Sequence, residues 1–327
     1  MEPRQLPPPY PATGRFRTWR EIAGKALVGD WSLSQKLLAG GEVLTRYATM
    51  FFEKMNRRLA EKNFVKKYLR QNDEGKTYFD LNGAKLPDVR GDEQMFGNLC
   101  SAIFLDTFSV SALYEDNYDA AQMDRIEPYL PEGAYGYRAG DFDVTVKSGE
   151  AVIDAGAWIG DFAAYAAAKG ATVYAFEPTP KTFAWLQQTA ALNDGIVPVA
   201  KGLGEAEKKA LLYFYGNNET GSGNTVDEKR LPFDKETRVE NIAITTLDQF
   251  AADNRLEKID FIKADIEGAE REMLRGATAV LRKFAPKLAI CTYHLPDDPQ
   301  VLAQIIRAAN PRYRIVQRRK KLFAAAG

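Results

Sequence analysis

Four groups able to hold a polar ligand or move a proton fall at or near the ends of apolar runs. Asp154 sits in AVIDA, Glu177 follows VYAF, Asp265 follows IDFIKA, and His294 follows KLAICTY; Gly202 lies just beyond a fifth run, IVPVA. A purely structural sheet has little reason to display such a set. Asp154 opens Asp-Ala-Gly156-Ala157-Trp158-Ile-Gly160. Glycines there let the backbone turn sharply and approach a ligand, with a helix N-terminus beyond. The spacing departs from the dinucleotide fingerprint GxGxxG. A carboxylate at this turn repels a pyrophosphate and attracts a cationic end such as an ammonium. Glu177, about twenty residues on, can accept hydrogen bonds from both hydroxyls of a ribose. Taken singly, Asp154 reads as a helix cap and Glu177 as a solvent-facing strand end. As a pair on successive βα units they suit a nucleoside with a positive tail and no phosphate, and S-adenosylmethionine answers that description.

Methyl transfer from a sulfonium is an in-line displacement in which the acceptor oxygen is held near the methyl carbon. An alcohol must lose its proton as it attacks, so a general base is expected. His294 is the single histidine of the chain and the candidate base. Asp265 would orient the sulfonium side or accept the proton, and Glu267 would hydrogen-bond a substrate hydroxyl. Lys263 completes strand packing or pairs with an acid, and Glu270 reads as favourable charge in the first turn of a helix. Asp265, Glu267 and His294 also compose a two-carboxylate, one-histidine set of metal-ligand type. Methyl transfer needs no metal, and none is expected.

Elements that would position these groups begin near residue 144. Residues 151–155, 171–177, 196–200, 259–265 and 287–294 read as buried strands. Residues 161–169, 180–193, 268–284 and 296–309 read as helices, and Thr246-Leu-Asp-Gln249 as a capping box opening another. Residues 312–316 and 321–325 would close the sheet as an antiparallel pair. Alternating strands and helices imply an α/β fold with a doubly wound, mostly parallel sheet, because parallel strands need helical crossovers. Ligands of such sheets bind at the strands' carboxyl ends, at the topological switch point. Before residue 130 strand signals are scarce. Residues 17–70 read as helical, residues 78–86 as a hairpin turning at Asn82-Gly83, and residues 92–105 as a helix.

The segments VIDAGAWIGDFAAYAA, VYAFEPTP, LDQF and IDFIKADIEGAEREMLRGA, with the late Tyr-His, resemble the FkbM family of S-adenosylmethionine-dependent methyltransferases over about residues 135–325. The resemblance implies a class I, Rossmann-like methyltransferase fold and O-methylation of a hydroxyl on a sugar, glycan or natural-product-like acceptor. By matching positions, Asp154, Gly156, Ala157 and Gly160 would line the methionine end of the cofactor, with Asp265 beside them. Glu177 would hold the ribose, Pro178 would also contact the cofactor, and Gly202 would border the adenine. Trp158 departs from the small polar residue, such as Asn, that the family more often carries there.

The chain has 327 residues, 45% of them apolar and 27% charged, with 44 basic residues balancing 44 acidic ones. Such balance supplies no global field toward nucleic acid or an anionic membrane. No apolar run approaches the roughly 18 residues of a membrane span. The start of the sequence is proline-rich and lacks the apolar core of a secretory signal, and two distant cysteines make no CxxC pair, so a cytoplasmic location is expected. The change of texture divides the chain into residues 1–130, a mainly helical extension that covers the catalytic face or builds a homodimer, and residues 131–327, the methyltransferase domain. Residues 53–70 carry seven basic and two acidic side chains and read as a solvated face. The glycine-rich residues 216–224 are either a substrate lid or an ordinary surface loop. Two rivals stand beside this reading: a nicotinamide-dependent Rossmann oxidoreductase, and an inactive methyltransferase-like scaffold.

Overall fold

The computed structural model of the protein describes residues 61–62, 64–100, 135–214, 238–318 and 320–327. Residues 17–60 of the helical stretch expected over 17–70, the far end of that over 92–105, and the 216–224 stretch lie outside them.

Helical residues 64–68 lead into an antiparallel sheet of β1 (Leu69–Gln71), β2 (Thr77–Leu81) and β3 (Ala84–Pro87). Asn82 (φ 56°) and Gly83 (φ 95°) supply the left-handed pair expected of the hairpin turn. The extension therefore holds a sheet beside its helices, since Phe79 and Leu81 on β2 and Leu86 on β3 share one buried face. Helix α1 (Glu93–Cys100) follows, and a small ribbon pairs β4 (Tyr137–Ala139) with β5 (Phe142–Val144).

The centre is a seven-stranded sheet. Its order is β14 (Tyr313–Arg318), β15 (Lys321–Ala326), β13 (Lys287–Cys291), β12 (Phe261–Ala264), β6 (Ala151–Ala155), β7 (Thr172–Phe176) and β8 (Ile196–Val199). The five strands from β13 to β8 are parallel, and the β14–β15 hairpin adds antiparallel to β13. The chain runs outward through β7 and β8 and then returns to place β12 on the other side of β6. The switch point lies between β6 and β12, and their carboxyl ends frame the crevice where such sheets bind ligands.

Period-two alternation distributes the strand residues between two cores. Val152, Phe261, Ala289 and Phe323 face one, with α2 (Asp161–Ala168), residues of α3 (Pro180–Leu192) and the three-stranded sheet. Ile153, Ile262, Leu288 and Leu322 face the other, with α4 (Leu247–Asp253), α5 (Glu270–Arg275), α6 (Thr278–Lys283) and α7 (Asp298–Ala309). Helices thus cover both faces, the doubly wound arrangement. Asn193, just past α3, binds β3 through both ends of its amide: Oδ1 accepts the Lys85 N–H (3.0 Å) and Nδ2 donates to the Lys85 carbonyl (2.7 Å).

The helix expected over residues 268–284 breaks into α5 and α6 at Gly276. A Cβ there would lie 2.0 Å from the Gly204 carbonyl oxygen, beside β9 (Gly202–Leu203). Strand β9 pairs with β11 (Val239–Thr245), which also carries β10 (Lys208–Tyr213). The capping box forms as expected, with Thr246 Oγ1 accepting the Gln249 N–H at 3.0 Å. Among the described residues no helix is long and apolar enough to cross a membrane.

Candidate active site

The glycine turn after β6 touches both neighbouring strands. Gly156 and Ala157 donate their N–H groups to the Phe176 carbonyl at the end of β7 (3.0 and 2.8 Å). On the other side, a Cβ at Gly156 (φ +73°) would stand 2.0 Å from the Asp265 carbonyl oxygen at the end of β12, so a side chain there is sterically forbidden. Gly160 (φ 88°) caps α2 without any side-chain hydrogen bond, and its Cβ would meet Leu186 at 2.7 Å. Trp158 has φ 51°, a conformation Asn tolerates better than Trp.

Asp154 is not where the sequence suggests. Its side chain is fully buried and forms an ion pair with Lys263 Nζ at 3.0 Å. Lys263 also donates to the Gly156 carbonyl (2.7 Å). Burial raises the Asp154 pKa, and Lys263 opposes that rise. Register explains the pairing: Asp154 and Lys263 are direct neighbours on β6 and β12, pointing into the same core. The charge expected to meet a cationic ligand is spent on Lys263, and through it on the turn.

Glu177 is buried at the end of β7. Its Oε2 accepts the Trp158 N–H (3.0 Å), and its Oε1 accepts the Thr179 N–H (2.8 Å) and the Thr182 hydroxyl (3.1 Å). Burial raises its pKa against the pull of these donors. Trp158, Thr179 and Thr182 thus hold the carboxylate in place. Pro178 and Gly202 lie together, a Gly202 Cβ falling 3.7 Å from Pro178 Cγ.

At the end of β12, Asp265 accepts the Tyr135 hydroxyl on Oδ2 (2.7 Å) and the Tyr293 hydroxyl on Oδ1 and Oδ2 (3.0 and 3.2 Å). Burial favours its neutral form, but Lys263, Tyr135, His294 and Lys321 together lower its pKa and hold it ionised. His294, just after β13, is almost wholly buried among three carboxylates. Its Nε2 lies 3.5 Å from Asp265 and 3.3 Å from Glu267, and its Nδ1 lies 3.0 Å from Glu270. Burial works against its charge, yet hydrogen bonding to Glu267 and Glu270 and the charges of Glu270 and Asp265 raise its pKa to about 10. The expected base is therefore a cation at neutral pH, a donor rather than a proton acceptor.

Glu270 does more than favour a helix dipole. Oε1 accepts the Ile266 N–H and Oε2 the Gly268 N–H (2.9 and 3.0 Å), so it fastens the turn that carries Glu267 at φ 55°. Asp265, Glu270 and His294 bring ligand-type atoms within 4.8 Å of one another. Both Glu270 oxygens also accept backbone N–H groups, so this carboxylate serves the turn as well as the imidazole.

The structure thus draws Gly156, Ala157, Gly160, Glu177, Asp265, Glu267 and His294 to one end of the sheet, with Pro178 and Gly202 beside Glu177, and sets Asp154 beneath them. Sequence reading missed Tyr135 and the clamp formed by Glu270. The Glu-Gly-x-Glu spacing carries a signal for the latter; nothing around Tyr135 marks it.

Residues 154–313 match the sequence profile of the Methyltransferase FkbM domain. "Methyltransferase 1" of Beauveria bassiana is 32% identical over 143 residues, covering 38% of this chain and 57% of the relative. "Methyltransferase sdnD" of Sordaria araneosa is 30% identical over 153 residues, covering 38% and 59%. The chain thus spans less than two thirds of the length of these curated relatives. Methyltransferase FkbM from Methylobacillus flagellatus, a crystal structure, aligns with a TM-score of 0.44 and 21% identity over 72% of this chain and 55% of its own. By its sequence, the segment that carries the turn and the strand-end carboxylates is similar to the FkbM methyltransferase domain family.

Proposed function

We propose that the chain is an S-adenosylmethionine-dependent O-methyltransferase acting on a hydroxyl of a sugar, glycan or natural-product-like acceptor. The observation that carries this reading is the contact of the glycine turn with Glu177 on one side and Asp265 on the other, inside an FkbM methyltransferase domain. The cofactor, when bound, supplies an electrophilic methyl group on a cationic sulfur. Glu177 would accept from its ribose, and Pro178 and Gly202 would border its adenine. The backbone N–H groups at the start of α2, which Gly160 precedes, suit its carboxylate. Asp265 would face the sulfonium, and Asp154 would act through Lys263 to hold the turn. His294 would hold the Asp265 and Glu267 carboxylates in place through its charge. Glu267, whose side chain is 31% exposed against 1% for Glu270, would take the hydroxyl proton.

Residues 131–327 would constitute the catalytic domain, with residues 1–130 covering the acceptor or building a homodimer. We place its work in the cytoplasm, where free cysteines such as the buried Cys100 and Cys291 persist. One observation favours the nicotinamide alternative: with Asp154 neutralised by Lys263, the repulsion toward a pyrophosphate weakens. The test is incubation with S-adenosylmethionine labelled in its methyl group and a panel of glycosides, glycans and polyol natural products, with products located by NMR. Label on oxygen is expected. Label on nitrogen or carbon would overturn the oxygen assignment, and binding of a nicotinamide cofactor without S-adenosylmethionine binding would overturn the reading altogether.

A further inference from the structure

Asp265 is held from two sides by hydroxyls that come from separate parts of the chain. Tyr135 is buried and precedes β4, outside the segment that matches the family profile. Its ring packs edge-on against Phe162 of α2 (5.8 Å), with Lys321 Nζ 4.6 Å and Lys263 Nζ 5.3 Å from its centroid. Its hydroxyl reaches Asp265 and lies 3.3 Å from Cys291 Sγ. Tyr293, half exposed beyond β13, approaches from the opposite strand and leans on His294, the rings 4.2 Å apart. Both hydroxyls are donors to an ionised acceptor, the stronger class of hydrogen bond.

We propose that Tyr135 and Tyr293 are positioning residues that clamp the Asp265 carboxylate in one orientation, so that its negative charge is presented to the cationic sulfur of the methyl donor. The inference rests on the reading of this site as one for S-adenosylmethionine, and adds to it how the charge is aimed. Two donors fix both oxygens of a carboxylate against rotation, which one donor cannot do. Burial and the Asp265 charge push the Tyr293 pKa upward, which keeps it a donor at any physiological pH. Asp265 is faced by Lys263 on β12, Asp154 on β6, Glu267 and Glu270 after β12, Cys291, Tyr293 and His294 at β13, and Lys321 on β15. Removing one hydroxyl leaves that surrounding charge intact, so the change reports the clamp.

The test is calorimetric titration of the full chain with S-adenosylmethionine and with S-adenosylhomocysteine, which lacks the sulfonium charge. Wild type is compared with Tyr135→Phe, Tyr293→Phe and Asp265→Asn between pH 8 and pH 5.5. Each Phe variant is expected to lower the ratio of the two affinities by about tenfold, the scale of one charge-assisted hydrogen bond. The loss should deepen toward low pH, because Asp265 without a donor protonates at higher pH than in wild type. Asp265→Asn should lower the ratio at every pH, and adding Tyr135→Phe to it should change nothing further. An unchanged ratio in both Phe variants beside a lowered one in Asp265→Asn would overturn the clamp. An unchanged ratio in Asp265→Asn would overturn the orientation toward sulfur. If Tyr135→Phe does not fold, Tyr293→Phe at the surface decides alone. Wild type that binds neither compound overturns the methyltransferase reading itself, and the clamp with it.

Discussion

Replacing Lys263 with methionine separates a structural role of Asp154 from a direct role in ligand binding. The variant keeps the volume of the buried stem but removes the cation paired with the buried Asp154 carboxylate, together with the donor to the Gly156 carbonyl. Removing one partner of a buried ion pair costs about 3–5 kcal/mol, because the remaining charge is left uncompensated. For a folded unit of this size that is a fall in Tm on the order of 10 °C. The pKa of Asp154 is already raised by burial, and without Lys263 it rises further. A carboxyl whose folded pKa exceeds its unfolded value costs stability at high pH and regains it as pH falls through the folded pKa. Lys263→Met should therefore unfold more easily at pH 8 than at pH 5.5, after subtraction of the wild-type profile. Asp154→Asn combined with Lys263→Met should recover most of the loss, since a neutral pair leaves no buried charge. Chemical denaturation of wild type, Asp154→Asn, Lys263→Met and the double variant at both pH values supplies the cycle. A cost below about 1 kcal/mol for Lys263→Met, without pH dependence, would refute the pairing and return Asp154 to the ligand.

Three further outcomes follow from single contacts. Asn193→Ala strips two hydrogen bonds from the Lys85 backbone and should cost about 1–3 kcal/mol, read as lost hydrogen-exchange protection over residues 77–87. The Arg90 guanidinium and the Thr77 hydroxyl hold the Asp88 pKa at about 2, so its contribution is present above the ordinary carboxylate range and lost as pH falls toward 2. Wild type should lose about 1–2 kcal/mol more than Asp88→Asn between pH 5 and pH 2, a figure reduced for the partial exposure of Arg90. Gly156→Ala meets the Asp265 carbonyl at 2.0 Å and should abolish nucleoside binding even where circular dichroism shows a folded protein.

Much of the fold is written locally. AVIDA forms β6 at the expected residues because an uninterrupted apolar run suits a strand buried on both faces, and Asn82-Gly83 fixes its hairpin through backbone angles alone. What could not be read is set by tertiary neighbours. The pairing of Asp154 with Lys263 depends on the register of two strands separated by more than a hundred residues. The cationic state of His294 depends on three carboxylates arriving around one ring, and no spacing in the sequence says that they converge. The break between α5 and α6 reflects the close approach of the Gly204 backbone to Gly276, invisible to helical periodicity. Strand β1 escaped notice because its three half-buried and exposed residues carry no alternating pattern.

On the proposed reading, Glu177 anchors the ribose of S-adenosylmethionine. Calorimetric titration of the purified chain with S-adenosylmethionine, beside Glu177→Ala, tests it most directly. Saturable binding to wild type that falls by about tenfold or more in the variant is the predicted result, as expected when a charged acceptor of a ribose hydroxyl is removed. Equal binding by both proteins, or none by wild type, would contradict it.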